Sequence, residues 1–357
     1  MMQFRLDADR LSDAALRLLA TLSTLVFASF VVILFAGTWA AQADAVCTGD
    51  DLLAIMERDD PAAYRGLLNA SAETPNGDVM LWRIEAPNGA ISHLYGTMHV
   101  TDPRIVDLPE DAQAAFDASE VLVIETTDIL DPAAMMAAMA THPDLMMFTD
   151  ETTLSSLLAD ADRIKVEETM TERGLSLAAV DKMKPWMIAA MVTLPTCELT
   201  RKAAGAEILD VALATRARGA GMDIQGLETT AEQLGAVAAL PLEFHVRALV
   251  ETLALDDAID DVIETMVVIH GRGEPGLFWP FFEAALTGST EDGAGIAGFE
   301  QSVIVDRNRI MAERMRSALD DGDAFIAIGA LHLPGDAGVV ALLQAAGYAA
   351  QPLRSMR

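Results

Sequence analysis

Apolar runs of strand length alternate with helical stretches along this chain. Two extended runs, residues 80–84 and 91–95, flank Pro87-Asn88-Gly89, and an Asn-Gly pair between extended runs predicts a β-hairpin. Four more short runs predict strands, namely residues 120–125, 223–227, 324–328 and 348–353. Because strands that alternate with helices favour a layered α/β fold, we expect a mostly parallel mixed sheet flanked by helices.

Helical spacing covers most of the chain between these runs. The stretches that show it are residues 46–75, 108–119, 132–215, 230–270, 306–319 and 338–346. The long middle part is rich in Ala, Met and Leu, and it predicts a large helical insertion at about residues 132–222 and 230–290. We expect one α/β domain over residues 46–357 that carries this insertion. Methionines on helices usually fill the core, so we do not interpret them as a cofactor site.

The first 45 residues differ from the rest of the chain. Twenty uncharged residues, from Leu18 to Gly37, follow three arginines and precede the small residues Ala41-Gln42-Ala43-Asp44-Ala45. This layout is typical of a secretory signal peptide, and the apolar stretch is also just long enough for an uncleaved membrane anchor. A buried hydrophobic helix of the fold is the third interpretation. Either of the first two places the body of the protein outside the cytoplasm, in the periplasm or secreted.

Cys47 and Cys197 are the only cysteines in the sequence. An even number of cysteines in an oxidising compartment favours a disulfide between them, and two unpaired buried thiols are the alternative. The sequence has no C-x-x-C motif and no cluster of cysteine and histidine, which excludes structural zinc and thioredoxin-type redox chemistry.

Charge and composition narrow the possible partners. With 52% apolar residues the chain can bury a sizeable core, and 24 basic against 54 acidic residues give a net charge of −30. Such a chain is a poor ligand for nucleic acid or for an anionic membrane surface, since both require clustered cations. We therefore expect no nucleic acid, contact with a membrane only through an uncleaved N-terminal segment, and a small-molecule or peptide substrate.

Polar residues at the ends of four predicted strands are the strongest chemical signal. The strands end in Gly96-Thr97-Met98-His99, in Glu125, in Glu228 and in Gly329-Ala330-Leu331-His332. Because the carboxyl ends of parallel strands meet at one edge of a sheet, we expect these side chains to converge. Two imidazoles and two carboxylates suit a divalent ion such as Mn, Co, Zn or Fe. The alternative for each histidine is a hydrogen-bonded core or loop residue, and His245 and His270 are interpreted as surface or core-edge residues.

At these residues the chain resembles the TraB/GumN family, which includes the Tiki proteins. The resemblance lies in two G-x-x-H segments, residues 94–100 (LYGTMHV) and 328–335 (IGALHLPG), and extends over about residues 46–354. Further matching segments fall between them in the family's order: Val123-Ile124-Glu125, Lys184-Pro185-Trp186, Gly226-Leu227-Glu228-Thr229 with Gln233, and Arg307-Asn308.

The resemblance implies a fold like that of erythromycin esterase and ChaN and, by analogy with Tiki, a metal-dependent protease. It implies that His99 and His332 are metal ligands or acid–base groups, and that Glu125 and Glu228 are ligands or the base. Arg307 would be a cation near the site that neutralises a carboxylate or holds substrate, and the alternative is a surface helix arginine.

Three functional hypotheses remain open from the sequence. The first is an extracytoplasmic metal-dependent hydrolase, peptidase- or esterase-like, with Mn, Co or Zn as its ion. The second is a non-catalytic protein that binds haem, a metal or another ligand in the same pocket. The third is an accessory factor of envelope or polysaccharide assembly that keeps the fold without the chemistry.

Overall fold

A six-stranded mixed sheet is the central element of the computed structural model, which describes residues 46–172, 174–255, 258–285 and 297–354. In chain order the strands are β1 (Leu81–Glu85), β2 (Ile91–Thr97), β3 (Val121–Ile124), β4 (Asp223–Gly226), β5 (Ala324–Gly329) and β6 (Ala349–Leu353). Their order across the sheet is β4-β3-β5-β2-β1-β6. The α/β class and the mixed sheet predicted from the sequence are confirmed.

Four neighbouring strands, β4, β3, β5 and β2, run parallel, and β1 is antiparallel to both β2 and β6. The predicted hairpin is confirmed, since β1 pairs with β2 and the N–H of Ala86 donates to the carbonyl of Ala90 across the turn at 2.8 Å. Every residue of β5 up to Ile328 is fully buried, as expected of a central strand that is covered on both faces. By contrast, β4 is an edge strand and is largely exposed.

Helices make up most of the described chain between the strands. Before β1 lie Leu52–Asp59 and Pro61–Glu73, and between β2 and β3 lie Pro103–Val106 and Glu110–Asp117. Between β3 and β4 lie Pro132–Thr141, Pro143–Met146, Leu154–Leu157, Asp160–Glu172, Leu177–Val180, Pro185–Thr193, Thr196–Ala203 and Leu209–Ala220. Between β4 and β5 lie Thr230–Ala238, Leu242–Leu255, Ala258–Arg272, Phe278–Ala285, Asp306–Arg314 and Arg316–Asp321, and Val339–Ala345 precedes β6. Short 3-10 helices span Asp128–Leu130, Pro275–Leu277 and Ala330–His332, and Glu300–Val305 is π-helical.

Two of the predicted helices are each divided in two. The stretch predicted over residues 46–75 breaks at Asp60, whose side chain accepts a hydrogen bond from the N–H of Ala63 and so caps a second helix that begins with Pro61. The helix predicted over 306–319 breaks at Met315. The stretch predicted over residues 230–270 forms three helices among its described residues. All these breaks lie inside predicted helices and leave the sheet unchanged.

The apolar interior is divided into two clusters. The larger one surrounds the sheet, with Phe325, Leu94 and Leu122 among its fully buried residues. The smaller one lies wholly within the stretches predicted as a helical insertion, and it comprises Leu154, Val166, Met170, Leu177, Val180, Ile188, Val192, Leu249 and Leu253. The helical middle of the chain therefore has a hydrophobic core of its own.

The predicted disulfide is present. Cys47 and Cys197 are bonded with their Cα atoms 5.3 Å apart, and the bond ties the start of the described chain to the helix Thr196–Ala203. The predicted signal peptide or anchor falls in residues 1–45, outside the described residues. In the part of the chain that the structure describes, no helix is both long enough and apolar enough to cross a bilayer.

Candidate functional site

The carboxyl ends of β2, β3, β4 and β5 carry the residues singled out from the sequence. Backbone hydrogen bonds continue past the end of β3 and hold these ends together, because the N–H of Leu227 donates to the carbonyl of Ile124 at 3.0 Å and that of Glu228 to the carbonyl of Glu125 at 2.7 Å. Side-chain contacts join His99, Glu125, Glu228, Arg307 and His332 into one cluster, which we call the strand-end cluster.

Glu125 is the centre of the strand-end cluster. Its carboxylate is buried, and Oε2 accepts hydrogen bonds from Nη2 of Arg307 at 2.7 Å and from Nε2 of Gln233 at 2.9 Å. Oε1 accepts the backbone N–H of Gly329 at 2.7 Å. The same oxygen lies 4.0 Å from Nε2 of His99 and 3.9 Å from Nε2 of His332. One oxygen of Glu125 therefore faces both imidazoles without a direct hydrogen bond to either.

His332 is buried and held at its other ring nitrogen. Nδ1 lies 2.7 Å from Oδ1 of Asn308, and the amide nitrogen of Asn308 donates to the carbonyl of Ala337 at 2.9 Å. Because the asparagine oxygen only accepts, Nδ1 carries the proton of the neutral ring. Nε2 is then unprotonated, and its lone pair points towards Glu125. A metal ligand or a proton acceptor requires this form of the ring.

His99 is the accessible member of the cluster. Its side chain is 52% exposed, against 5% for His332, so this histidine faces solvent. Its Nδ1 lies 3.8 Å from Oδ2 of Asp210. The ring thus has a carboxylate oxygen near each nitrogen, Glu125 on one side and Asp210 on the other.

Arg307 links the two glutamates. Its Nε and Nη2 atoms contact the Glu228 carboxylate at 3.1 and 2.7 Å, and Nη2 also bonds to Glu125. The arginine is mostly buried, so the interpretation of a surface helix arginine does not describe its place in the structure. Glu228 is in contact with Arg307 and, at 3.5 Å, with Gln233. Its predicted role as a ligand or base stays a prediction.

Burial and neighbouring charges set the protonation of the cluster. Burial alone would raise the pKa of Glu125, but His332, His99, Arg307 and the N–H of Gly329 outweigh it and lower the pKa to about 2. Burial lowers the pKa of His332 to about 4, against the opposing attraction of Glu125. Near neutral pH Glu125 is therefore an anion, His332 is uncharged, and Arg307 is the permanent cation beside Glu125.

Asp210 lies beside the strand-end cluster and was not predicted from the sequence. It lies in the first turn of the helix Leu209–Ala220 and is 1% exposed. Its Oδ1 accepts a hydrogen bond from Oγ1 of Thr97 at 3.3 Å, and its Oδ2 has no hydrogen-bond partner among the described residues. Burial raises the pKa of this carboxyl, and the His99 charge opposes that effect. In the sequence, Asp210 is an acidic residue on the apolar face of a predicted helix, beside Leu209 and Leu213, and this pattern could have identified it.

Two histidines expected at the surface or the edge of the core are buried instead. His245 and His270 are each 4% exposed. Nε2 of His270 lies 2.9 Å from the carbonyl oxygen of Gly96, the first residue of the G-x-x-H segment that contains His99. The expectation was wrong because both helices are packed on more than one side, which their sequence pattern alone does not reveal.

The space around Gly329, where the second G-x-x-H segment leaves β5, is tight. A Cβ atom on Gly329 would lie 3.0 Å from Oε1 of Glu125 and 3.4 Å from Cδ2 of His332. The absence of a side chain lets the Glu125 carboxylate reach the backbone N–H of Gly329. This glycine thereby brings the ends of β3 and β5 into direct contact.

The donor atoms of the strand-end cluster have the chemistry that a divalent ion needs, but not yet the spacing. Imidazole nitrogens and a carboxylate oxygen are the ligands that zinc, cobalt and manganese take. Oε1 of Glu125 lies 4.0 Å from Nε2 of His99 and 3.9 Å from Nε2 of His332. Because metal–ligand bonds are about 2.0–2.2 Å long, each of these gaps has room for one ion. As they stand, however, no three histidine, cysteine, aspartate or glutamate side chains among the described residues are grouped closely enough to hold one ion. The chemistry of the donors fits, and His99 is the half-exposed residue among them.

The chain was compared with known families, curated proteins and solved structures. The model of the TraB/PrgY/gumN family matches residues 80–352, which include both G-x-x-H segments and every member of the strand-end cluster. No curated protein and no solved structure matches. The likeness to erythromycin esterase and ChaN, expected from the sequence, therefore stays a prediction.

Proposed function

Because the chain belongs to the TraB/PrgY/gumN family, we propose that it is an extracytoplasmic metal-dependent hydrolase that cleaves peptide or ester bonds at the strand-end cluster. One observation carries the proposal. A buried, anionic Glu125 oxygen faces the Nε2 atoms of two histidines at 3.9 and 4.0 Å, and one of those histidines is open to solvent.

His99, His332 and Glu125 are the residues that would hold the ion. A divalent ion bound there would let a bound water ionise near neutral pH, and the ion would also polarise the carbonyl of the substrate. Three protein ligands leave one position open, which is the arrangement of catalytic rather than structural sites. His99 is the solvent-exposed residue of the three, so a substrate would approach the site from its side.

The remaining residues of the cluster position these three. Asn308 fixes the ring of His332, and Arg307 with Gln233 fixes the Glu125 carboxylate. A carboxylate whose pKa is about 2 is a poor proton acceptor at neutral pH, so Glu125 suits the role of a ligand better than that of a general base. Glu228 holds Arg307 in place by balancing its charge.

The disulfide supports the extracytoplasmic part of the proposal. Structural disulfides persist in oxidising compartments and are rare in the cytosol. The Cys47–Cys197 bond begins two residues after the proposed signal or anchor, so it belongs to the body that would be exported.

Activity screening tests this function directly. The full-length chain, expressed with its own N-terminal segment and purified in mild detergent, is freed of metal with a chelator. It is then assayed against a panel of peptides and esters with Mn, Co or Zn added one at a time. We expect hydrolysis that appears only with metal, and its loss in His99→Ala and His332→Ala. His142→Ala, at an exposed histidine remote in sequence from both G-x-x-H segments, is the matched control and keeps the activity.

Other results would contradict the proposal. Metal-independent hydrolysis, or full activity and metal content in the double variant His99→Ala/His332→Ala, would exclude the strand-end cluster as a metal-dependent active site. No hydrolysis together with an absorbance band of bound haem would favour the ligand-binding alternative. No hydrolysis and no bound metal or haem would favour the accessory role in envelope or polysaccharide assembly.

A further inference from the structure

We propose that Asp210 is a positioning residue for His99: it holds the ring with its proton on Nδ1, so that the Nε2 lone pair points to Glu125. The importance of that ring form for hydrolysis rests on the function proposed above. The ring form itself can be measured without any activity.

The first support is an unsatisfied atom. Oδ2 of Asp210 is buried and has no hydrogen-bond partner among the described residues, and Nδ1 of His99 is the cationic or donor group 3.8 Å from it. A buried acceptor left without a donor costs about 1–3 kcal/mol, so such atoms are rare. A small rotation of the half-exposed His99 ring would turn this ion-pair distance into a hydrogen bond.

The second support is the charge of Asp210. A neutral carboxylic acid could donate to Nδ1 and would leave the opposite ring form, so the direction of the bond depends on this charge. Burial and the charge of Glu125 raise the pKa of Asp210, and three features oppose them and favour the carboxylate. These are the charge of His99, the Thr97 hydroxyl that donates to the other oxygen, and the place of Asp210 in the first turn of the helix Leu209–Ala220. A carboxylate accepts only, so the proton of the neutral pair belongs on Nδ1 of His99.

The third support is the correspondence between the two histidines. His332 has the acceptor Asn308 at Nδ1 and presents Nε2 to Oε1 of Glu125 at 3.9 Å. His99 has Oδ2 of Asp210 3.8 Å from its Nδ1, and its Nε2 lies 4.0 Å from Oε1 of Glu125. A histidine that ligates a metal commonly donates its other N–H to a carboxylate or carbonyl, which fixes the ring form. Asp210 therefore does for His99 what Asn308 does for His332.

A purely structural role makes a different prediction. If Asp210 only joins its helix to β2 through Thr97, its substitution changes stability and leaves the ring of His99 as it was. A half-exposed imidazole without a partner takes the Nε2–H form in preference, as free imidazole side chains do in water. The ring form of His99 therefore separates the two roles.

Nitrogen-15 NMR of the histidine rings is the test. The full-length, metal-free chain is labelled at its six histidines and studied well above the ordinary imidazole pKa, and the His99 signals are assigned by their loss in His99→Ala. We expect a single Nδ1–H form in the unaltered protein. In Asp210→Ala, which removes the acceptor, we expect a mixture in which the Nε2–H form predominates. Asp210→Glu keeps a carboxylate and should retain part of the Nδ1–H signal. Zinc affinity, measured separately, should fall about 10–100-fold in Asp210→Ala.

Asp261→Ala is the matched control. Asp261 is also in the first turn of a helix and also accepts a hydrogen bond, from the N–H of Asp50, but this bond is exposed and involves no histidine. It should leave the His99 signals unchanged. The proposal is overturned if His99 is in the Nε2–H form in the unaltered protein, a result that needs no variant to fold, or if Asp210→Ala leaves the ring form unchanged. A ring form that depends on Asp210 in a protein without hydrolase activity would uphold the positioning role and count against the proposed function alone.

Discussion

Nδ1 of His332 lies 2.7 Å from Oδ1 of Asn308, and this contact decides which nitrogen of the buried ring faces Glu125. Asn308 is itself held by its bond to the carbonyl of Ala337. The side chain can therefore act only as an acceptor towards His332. Substitution of Asn308 should therefore affect both the ring form of His332 and the stability of the cluster.

Asn308→Ala should weaken both the fold and the metal affinity. It leaves the buried Nδ1–H of His332 and the carbonyl of Ala337 without partners, and each unsatisfied group costs about 1–3 kcal/mol. Loss of the fixed ring form should lower zinc affinity about 10–100-fold. Urea unfolding and zinc titration measure the two effects. Asn88→Ala is the control, because it removes two exposed hydrogen bonds, one to the carbonyl of Asp320 and one from the N–H of Ala90. Equal losses in both variants would contradict the assigned role of Asn308.

Arg307→Met should be among the most destabilising single changes in the cluster. It leaves Glu125 and Glu228 buried side by side without their shared cation, and breaking a buried ion pair in this way costs about 3–5 kcal/mol. The double variant Arg307→Met/Glu228→Gln removes one of the two stranded charges and should recover part of that loss. The free energies of unfolding of the single and double variants give the coupling.

An arginine on the same helix provides the control for that cycle. Arg309 forms an exposed bond to Asp306, and exposed pairs contribute about 0–1 kcal/mol. Arg309→Met should therefore leave the unfolding midpoint nearly unchanged. If Glu228→Gln fails to improve the stability of Arg307→Met, the two glutamates do not share Arg307 energetically.

Gly329→Ala should separate function from stability. The backbone of Gly329 has φ −52°, which alanine adopts freely, so the fold should be retained. The new Cβ would lie 3.0 Å from Oε1 of Glu125, so the carboxylate must move away from the facing histidines. We expect zinc affinity and any hydrolysis to fall at least about 10-fold with little change in thermal midpoint. Gly219→Ala, in a helix with open space around the glycine, is the control and should leave both unchanged or raise stability slightly.

The sequence predicted the part of the site that lies on strands. Apolar runs that end in polar residues identify parallel strands, and the rule that their carboxyl ends meet was enough to place Glu125 beside His332. Of the part that lies on helices, the family resemblance indicated Arg307, whereas Asp210 and His270 were not predicted. Asp210 and His270 occupy helical positions, where a polar residue on an apolar face has many possible environments, and only the packing of the helix against the strand ends determines which one it meets.

The Cys47–Cys197 bond should contribute strongly to stability. It closes a loop with a sequence separation of 150, for which the chain-entropy model gives about 5 kcal/mol. The double variant Cys47→Ser/Cys197→Ser should unfold at clearly lower urea than the unaltered protein. A reducing agent should lower the midpoint of the unaltered protein and leave that of the double variant where it is; identical midpoints for both proteins under oxidising conditions would contradict the expected contribution.

The protonation of His332 makes the stability of metal-free protein depend on pH. Burial lowers its pKa from 6.5 to about 4, so between these values the unfolded chain binds a proton that the folded chain does not. The free energy of unfolding therefore falls as the pH drops through this range, by at most about 1.4 kcal/mol per pH unit from this one group. Glu125, with its pKa lowered from 4.5 to about 2, adds a slope of the same sign below pH 4.5.

Comparison with His332→Gln isolates the contribution of that histidine from those of His93 and His245, whose pKa values burial also lowers. Glutamine carries no titrating proton, so the unfolding free energy of the variant should depend less steeply on pH between about 6.5 and 4.5. Above this range the unaltered protein should be the more stable of the two, because its neutral ring is bonded to Asn308. The difference between them should shrink as the pH falls, since only the native histidine must stay unprotonated. Urea unfolding in chelator at several pH values measures it. A difference that stays constant with pH would show that His332 titrates alike in the folded and unfolded protein, and it would contradict the buried, neutral ring.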